Sequence, residues 1–131
     1  MVDFTGVWRA NLEKSRLLGS PPNALTMKID QSDAELHQEI VVTRSDGNED
    51  RIVFKCWING EQNRNSLNGK PLRVSASWQG DELIIESWLT IAEREMHFRD
   101  FWSISGDRKL LVMEHRDDDL AGQRTVLERV E

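Results

Sequence analysis

Tyrosine is absent from this chain and cysteine occurs once, at Cys56. A single cysteine excludes an intrachain disulfide and suits a reducing compartment. Basic residues are in deficit: 17 Lys and Arg stand against 23 Asp and Glu, a net charge of −6. That balance argues against nucleic acid as a partner, because general nucleic-acid binding needs a basic footprint. No apolar run approaches membrane-spanning length, so no membrane association is expected. The opening MVDFTGVW has no basic-then-apolar leader. The expectation is a cytoplasmic protein, or an exported one whose leader is absent from this chain. Three histidines occur without His-x-His or Cys-x-x-Cys spacing, which argues against a metal site. No nucleotide loop, nucleophile elbow or aromatic-plus-basic RNA surface occurs, and no cofactor is expected. Three consecutive aspartates, Asp117 to Asp119, lack the alternation and closing Glu of a calcium loop and read as a solvated turn.

Helix signals are also scarce. The best lies at Asn11 to Leu17, where Asn11 can cap a short helix of one or two turns before Gly19 and Pro21-Pro22 stop it. Everything beyond reads as strands and turns. Strands are expected near 5–10, 24–31, 35–44, 50–58, 71–79, 82–91, 95–105, 109–116 and 123–130, with Asn59 to Gly69 as a polar loop. With 131 residues, 38% of them hydrophobic, the whole chain (1–131) fits one domain with one core. Sequential strands joined by tight turns predict an all-β, up-and-down antiparallel barrel of about eight to ten strands, since closure removes exposed edges.

Turn residues set the registers. A two-residue turn at Gly80-Asp81 puts Trp78 opposite Leu83 and Val74 opposite Ser87. One at Glu93-Arg94 puts Ser87 opposite Asp100, and one at Gly106-Asp107 puts Asp100 opposite Met113 and Phe98 opposite His115. One face then collects Trp78, Ile85, Ser87, Leu89 and Phe98, joined by Asp100, Trp102, Met113 and His115. This is the predicted interior, because a one-residue slip would mix the sets.

The interior aspartate is the anomaly. In "EMHFRDFWSI" (95–104) Asp100 points the same way as Phe98 and Trp102. An ionised carboxylate left unpaired inside a barrel costs several kcal/mol, so it needs a partner. His115 on the next strand is the expected one, with Ser87 as a second donor. The pair could satisfy itself, orient a ligand or act as an acid/base couple, which makes Asp100 and His115 the candidate catalytic residues. A metal site of His37, Glu39, Asp100 and His115 would require a two-residue turn at Asp46-Gly47. A loop of another length turns Leu36, Gln38, Ile40 and Val42 inward instead; it gives the more apolar core and is preferred, with the register of 35–44 left open between the two. Cys56 reads as a small buried apolar residue. On the outer face Ile84, Trp88, Phe101 and Val112 gather into an apolar patch, the expected surface of a homodimer.

The start "FTGVW", with Phe4, Gly6 and Trp8, resembles the Gly-x-Trp signature of the calycins, the lipocalins and fatty-acid-binding proteins. Most of the chain, through "GVWRANLEKS", "SWQGDELIIES" and "FWSISGDRKLLV", is similar to a set of uncharacterised bacterial lipocalin-like proteins. The resemblance implies a calycin barrel in which Gly6 and Trp8 are structural. Trp8 would close the floor under an arginine from a late strand, Arg124 or Arg129. Fatty-acid-binding proteins end in Arg-x-Tyr, which holds a carboxylate. Aligned on "RTVLERV", those places fall on Thr125 and Leu127, so a fatty-acid anion is not the expected ligand. The expected function is binding of a small, largely apolar, neutral or cationic molecule inside the barrel. One alternative is a barrel enzyme (isomerase, cyclase or hydratase) using Asp100 and His115. Another is a filled barrel acting as an interaction module.

Overall fold

The computed structural model describes residues 2–17, 19–67, 69–117 and 122–130, with the side chain of Leu67 left out. Among them run ten strands: β1 (Gly6–Ala10), β2 (Ala24–Gln31), β3 (Glu35–Thr43), β4 (Glu49–Trp57) and β5 (Gln62–Leu67), then β6 (Lys70–Gln79), β7 (Glu82–Ile91), β8 (Arg94–Ile104), β9 (Leu110–Asp117) and β10 (Gly122–Arg129). All pairings are antiparallel. Around the sheet the order is β4-β3-β2-β1-β10-β9-β8-β7-β6-β5, a meander in which β1 pairs with β10. The predicted barrel is present. Of the aspartate run read as a solvated turn, Asp117 ends β9, and 118–121 lie outside the described residues.

The seam lies between β4 and β5, and side chains stitch it. Asn65 Oδ1 accepts the Lys55 N–H at 2.9 Å, and Asn65 Nδ2 donates to the Lys55 carbonyl at 2.7 Å. Asn63 Nδ2 donates to the same carbonyl at 2.5 Å. Side-chain amides thus stand in for a missing backbone ladder. This corrects the reading of 59–69 as a polar loop. The sequence QNRNSL has no apolar alternation, because its strand lies at the seam and pairs its backbone only with β6.

The predicted N-terminal helix does not form; the described residues contain no helix. Asn11 Oδ1 does accept the Lys14 N–H (3.2 Å), as a cap would, but the chain makes one turn and leaves. Arg16 and Arg124 exchange backbone hydrogen bonds of 2.7 and 2.9 Å, which hold the segment against β10. One capped turn does not overcome the cost of helix nucleation when a strand edge offers better bonds.

Two of three predicted hairpin registers shift by two residues. The β6–β7 pairing is as predicted, with Trp78 opposite Leu83 and Val74 opposite Ser87. Between β7 and β8 the turn is Ala92-Glu93, both at positive φ (51° and 65°), which places Ile85, not Ser87, opposite Asp100. Such a turn matches the twist of the flanking strands. Between β8 and β9 the loop is longer. Asp107 accepts the Ser105 hydroxyl (2.5 Å) and the Lys109 N–H (3.0 Å), and Ser105 Oγ accepts the Leu110 N–H (3.0 Å). Asp100 therefore faces His115 directly, Trp102 faces Met113 and Phe98 faces Asp117. Both shifts are even, so every side chain stays on its predicted face.

The core fills one end of the barrel. Trp8 is fully buried, donates Nε1–H to the Phe4 carbonyl (2.9 Å) and carries the Arg129 guanidinium 4.2 Å above its ring. Of the two arginines considered, Arg129 is the partner. Gly6, two residues before it, sits at φ 151°, a conformation that L side chains rarely adopt. Phe4 is fully buried, stacked on Trp78 (5.8 Å) and edge-on to Trp102 (5.5 Å).

Candidate functional site

Beyond this packed floor the interior opens into a cavity of about 430 Å³. Its apolar walls come from both halves of the barrel: Ile40 and Phe54 on one side, Ile85, Phe98, Trp102 and Met113 on the other. Strand periodicity delivers these residues, since every second side chain of each strand points inward. Ser87 and Leu89 also line it, so eight of the nine predicted ligand contacts surround one space. Trp78 is the exception and a correction. It is not part of the cavity wall but is taken up by the stack on Phe4, and its buried Nε1 has no hydrogen-bond partner among the described residues.

Asp100 and His115 meet on the cavity wall. The separation of His115 Nδ1 and Asp100 Oδ1 is 2.8 Å. An ionised carboxylate only accepts hydrogen bonds, so Nδ1 carries the proton and Nε2 is left for other chemistry. The His115 ring also stacks on Phe98 at 5.4 Å. Its pKa is raised, first by the hydrogen bond to Asp100, then by the charges of Asp100 and Asp117, against the opposing effect of desolvation. Each side chain is about one-third exposed (32% and 27%), so the pair sits where solvent or a ligand can reach it.

The β3 register shows where the four residues of the considered metal site lie. Leu36 faces Cys56 and Gln38 faces Phe54, the preferred alternative. His37 and Glu39 lie on the outer face, bonded to Glu35 and Arg51, and are not brought to Asp100 and His115. Cys56 lines the cavity with its thiol buried, and burial pushes its pKa up to about 12. Two polar wall residues were not predicted as contacts, Gln38 and Gln123. The signal for Gln38 was present in the sequence, as the one polar side chain in the inward set Leu36, Gln38, Ile40 and Val42. For Gln123 there was no such signal, since it sits at a strand end. Among the described residues, no lysine or arginine lines the cavity.

On the outer face Ile84 and Phe101 are directly opposed. The faces of the two aromatics are occupied from within the chain. His97 stacks on Trp88 at 5.0 Å, Arg73 lies 5.1 Å over the same ring, and Arg116 lies 5.2 Å over Phe101.

No protein-family model and no curated protein matches this chain. Solved structures do. Human cRBP IV superposes with a TM-score of 0.69 at 15% identity, over 99% of this chain and 100% of that one. The fold is that of a calycin-like barrel. Fatty-acid-binding protein 1 of Echinococcus granulosus gives 0.67 at 11% identity, over 98% of each chain. The wild-type fluorescent protein UnaG gives 0.67 at 16% identity, over 97% of each. At such identities the calycin-like likeness speaks for architecture and not for ligand.

Proposed function

We propose that this protein binds a small, largely apolar molecule, neutral or cationic, inside its barrel. The observation that carries the reading is the cavity itself. At about 430 Å³ it falls within the usual range for small-molecule sites, and it combines apolar walls with few polar groups. Asp100 and His115 would fix the orientation of the ligand. A carboxylate in the wall, and no lysine or arginine there among the described residues, disfavours an anion. The structural neighbours include a fatty-acid-binding protein and a fatty acid transporter, barrels named for a lipid cargo. The missing Arg-x-Tyr argues for a different polar end in this chain.

Native mass spectrometry of protein purified from its source tests the reading directly. A co-purifying small apolar molecule is the expected result. Absence of any bound mass, together with no response of intrinsic tryptophan fluorescence to an apolar probe, would refute it.

The 2.8 Å bond between Asp100 and His115 favours a second reading, an acid/base couple in an isomerase, cyclase or hydratase. If the captured molecule is chemically altered by wild-type protein but only bound by Asp100→Asn, the enzyme reading holds. If the wild type leaves it unchanged, the enzyme reading fails.

A further inference from the structure

Gln38 is the odd residue of the cavity. It is only 7% exposed as a residue and lines the cavity, onto which its carboxamide opens. Its surroundings are apolar: Ile29 and Phe54 flank it on β2 and β4, and Leu36 and Ile40 precede and follow it on the same face. A leucine would fill this place as well, so packing does not call for an amide. An amide that opens onto an apolar cavity is satisfied there by water or by whatever the cavity holds. Around the barrel, β3 lies five strands from β8 in either direction. The polar lining residues Ser87, Asp100, His115 and Gln123 come from the neighbouring strands β7 to β10, and Gln38 lies across the strand order from them, so the cavity has two polar poles.

Resting on the reading that the barrel holds a small apolar molecule, we propose that Gln38 anchors that molecule through a neutral amide-type group docked on its carboxamide. The chemistry selects the class. A carboxamide offers one acceptor oxygen and two N–H donors. Another amide edge, such as a primary carboxamide, matches acceptor and donor at once. An ammonium would satisfy only the oxygen. A carboxylate would satisfy only the N–H groups and would share the cavity with the Asp100 carboxylate. Water can serve Gln38 in the empty cavity. A hydrocarbon that displaces this water leaves the amide unpaired, and an amide-bearing ligand does not. Discrimination by a buried polar group of this kind is stronger than discrimination by shape.

The test uses two probes of equal size and similar shape, 2-naphthamide and 2-isopropylnaphthalene, titrated by fluorescence into wild-type protein, Gln38→Leu, Gln38→Met and Asp100→Asn. The readout is the ratio of the two dissociation constants, which cancels the shared naphthalene contribution. In both Gln38 variants the ratio should move about tenfold toward the hydrocarbon, the size expected for lost hydrogen bonds. Ligand-free melting temperatures of those variants should equal or exceed that of the wild type, because no protein hydrogen bond is lost. An unchanged ratio while both probes still bind would overturn the role of Gln38 and leave the barrel-binding reading standing. A shift seen in Asp100→Asn in place of the Gln38 variants would assign the amide to the other pole, with the same consequence. If neither probe binds the wild type, this proposal falls, and the barrel-binding reading falls with it only if native mass spectrometry also finds no bound mass. A large loss of folding in both Gln38 variants would make the amide structural and would also overturn the proposal.

Discussion

At the scale of single residues, the Asp100–His115 pair is the feature with the most measurable consequences. The hydrogen bond to Asp100 raises the His115 pKa above its ordinary 6.5. The folded state therefore binds the proton more tightly than the unfolded chain does. The pair's stabilisation is fully present below the unfolded-state value and is lost as pH rises through the elevated folded-state value. The difference in melting temperature between wild type and His115→Gln should thus be largest in mildly acidic buffer and shrink above neutrality. A difference that stays flat across that window would remove the ion pair from the stability of the protein. Cys56 provides a second test. With its pKa near 12 and its thiol buried, it should resist iodoacetamide in the native protein at neutral pH and react once denatured. At the floor, Arg129 stacks on Trp8 and donates to the Thr5 and Arg108 carbonyls, at 2.9 and 3.0 Å. Arg129→Ala should cost about 1–3 kcal/mol in denaturant unfolding, from the lost cation–π contact and two charge-assisted bonds. Asp100 was legible as an anomaly because a carboxylate amid aromatics breaks the pattern of its face. Trp78 was not, because whether an inward tryptophan lines a cavity or fills a floor depends on Phe4, more than seventy residues away.

At the scale of elements, strand faces were readable and strand partners less so. Period-two alternation marks a face whatever the pairing, which is why both two-residue shifts left the interior set intact. Turn lengths were misjudged where side chains completed the turn, as Ser105 and Asp107 do after β8. The strand missed altogether, β5, is held at the seam by asparagine side chains that no hydropathy pattern records. This gives a prediction for the seam. Asn65→Ala removes the acceptor for the Lys55 N–H and one donor to the Lys55 carbonyl, both near solvent. Global stability should fall by no more than about 1 kcal/mol, since water replaces exposed bonds. Amide hydrogen exchange at Lys55 should accelerate well beyond that of β7 or β8, reporting local opening of the seam. Equal acceleration everywhere would mean the seam opens only with the whole barrel.

At the scale of the whole molecule, closure produces the site. None of the strands that contribute to the cavity could enclose it alone; Phe54 and Phe98 meet the same space only because the sheet wraps from β4 round to β5. The outer patch is a matter of the same scale. If Ile84, Trp88, Phe101 and Val112 form a homodimer surface, sedimentation should show twice the chain mass, and Trp88→Glu should halve it. A wild-type monomer would leave Trp88 and Phe101 covered by their own His97, Arg73 and Arg116.

By itself the sequence determined that the chain is an antiparallel barrel, which residues of the strands between 71 and 116 face inward, and that an aspartate among them needs a partner. These are consequences of local alternation and of the cost of burying charge, and both are written residue by residue. Only the tertiary structure decided that Arg129 rather than Arg124 caps Trp8, that Trp78 belongs to the floor, and that Gln38 opens onto the same cavity as Asp100. Each of these depends on which strands become neighbours across the closed barrel, a long-range relation that no local pattern encodes.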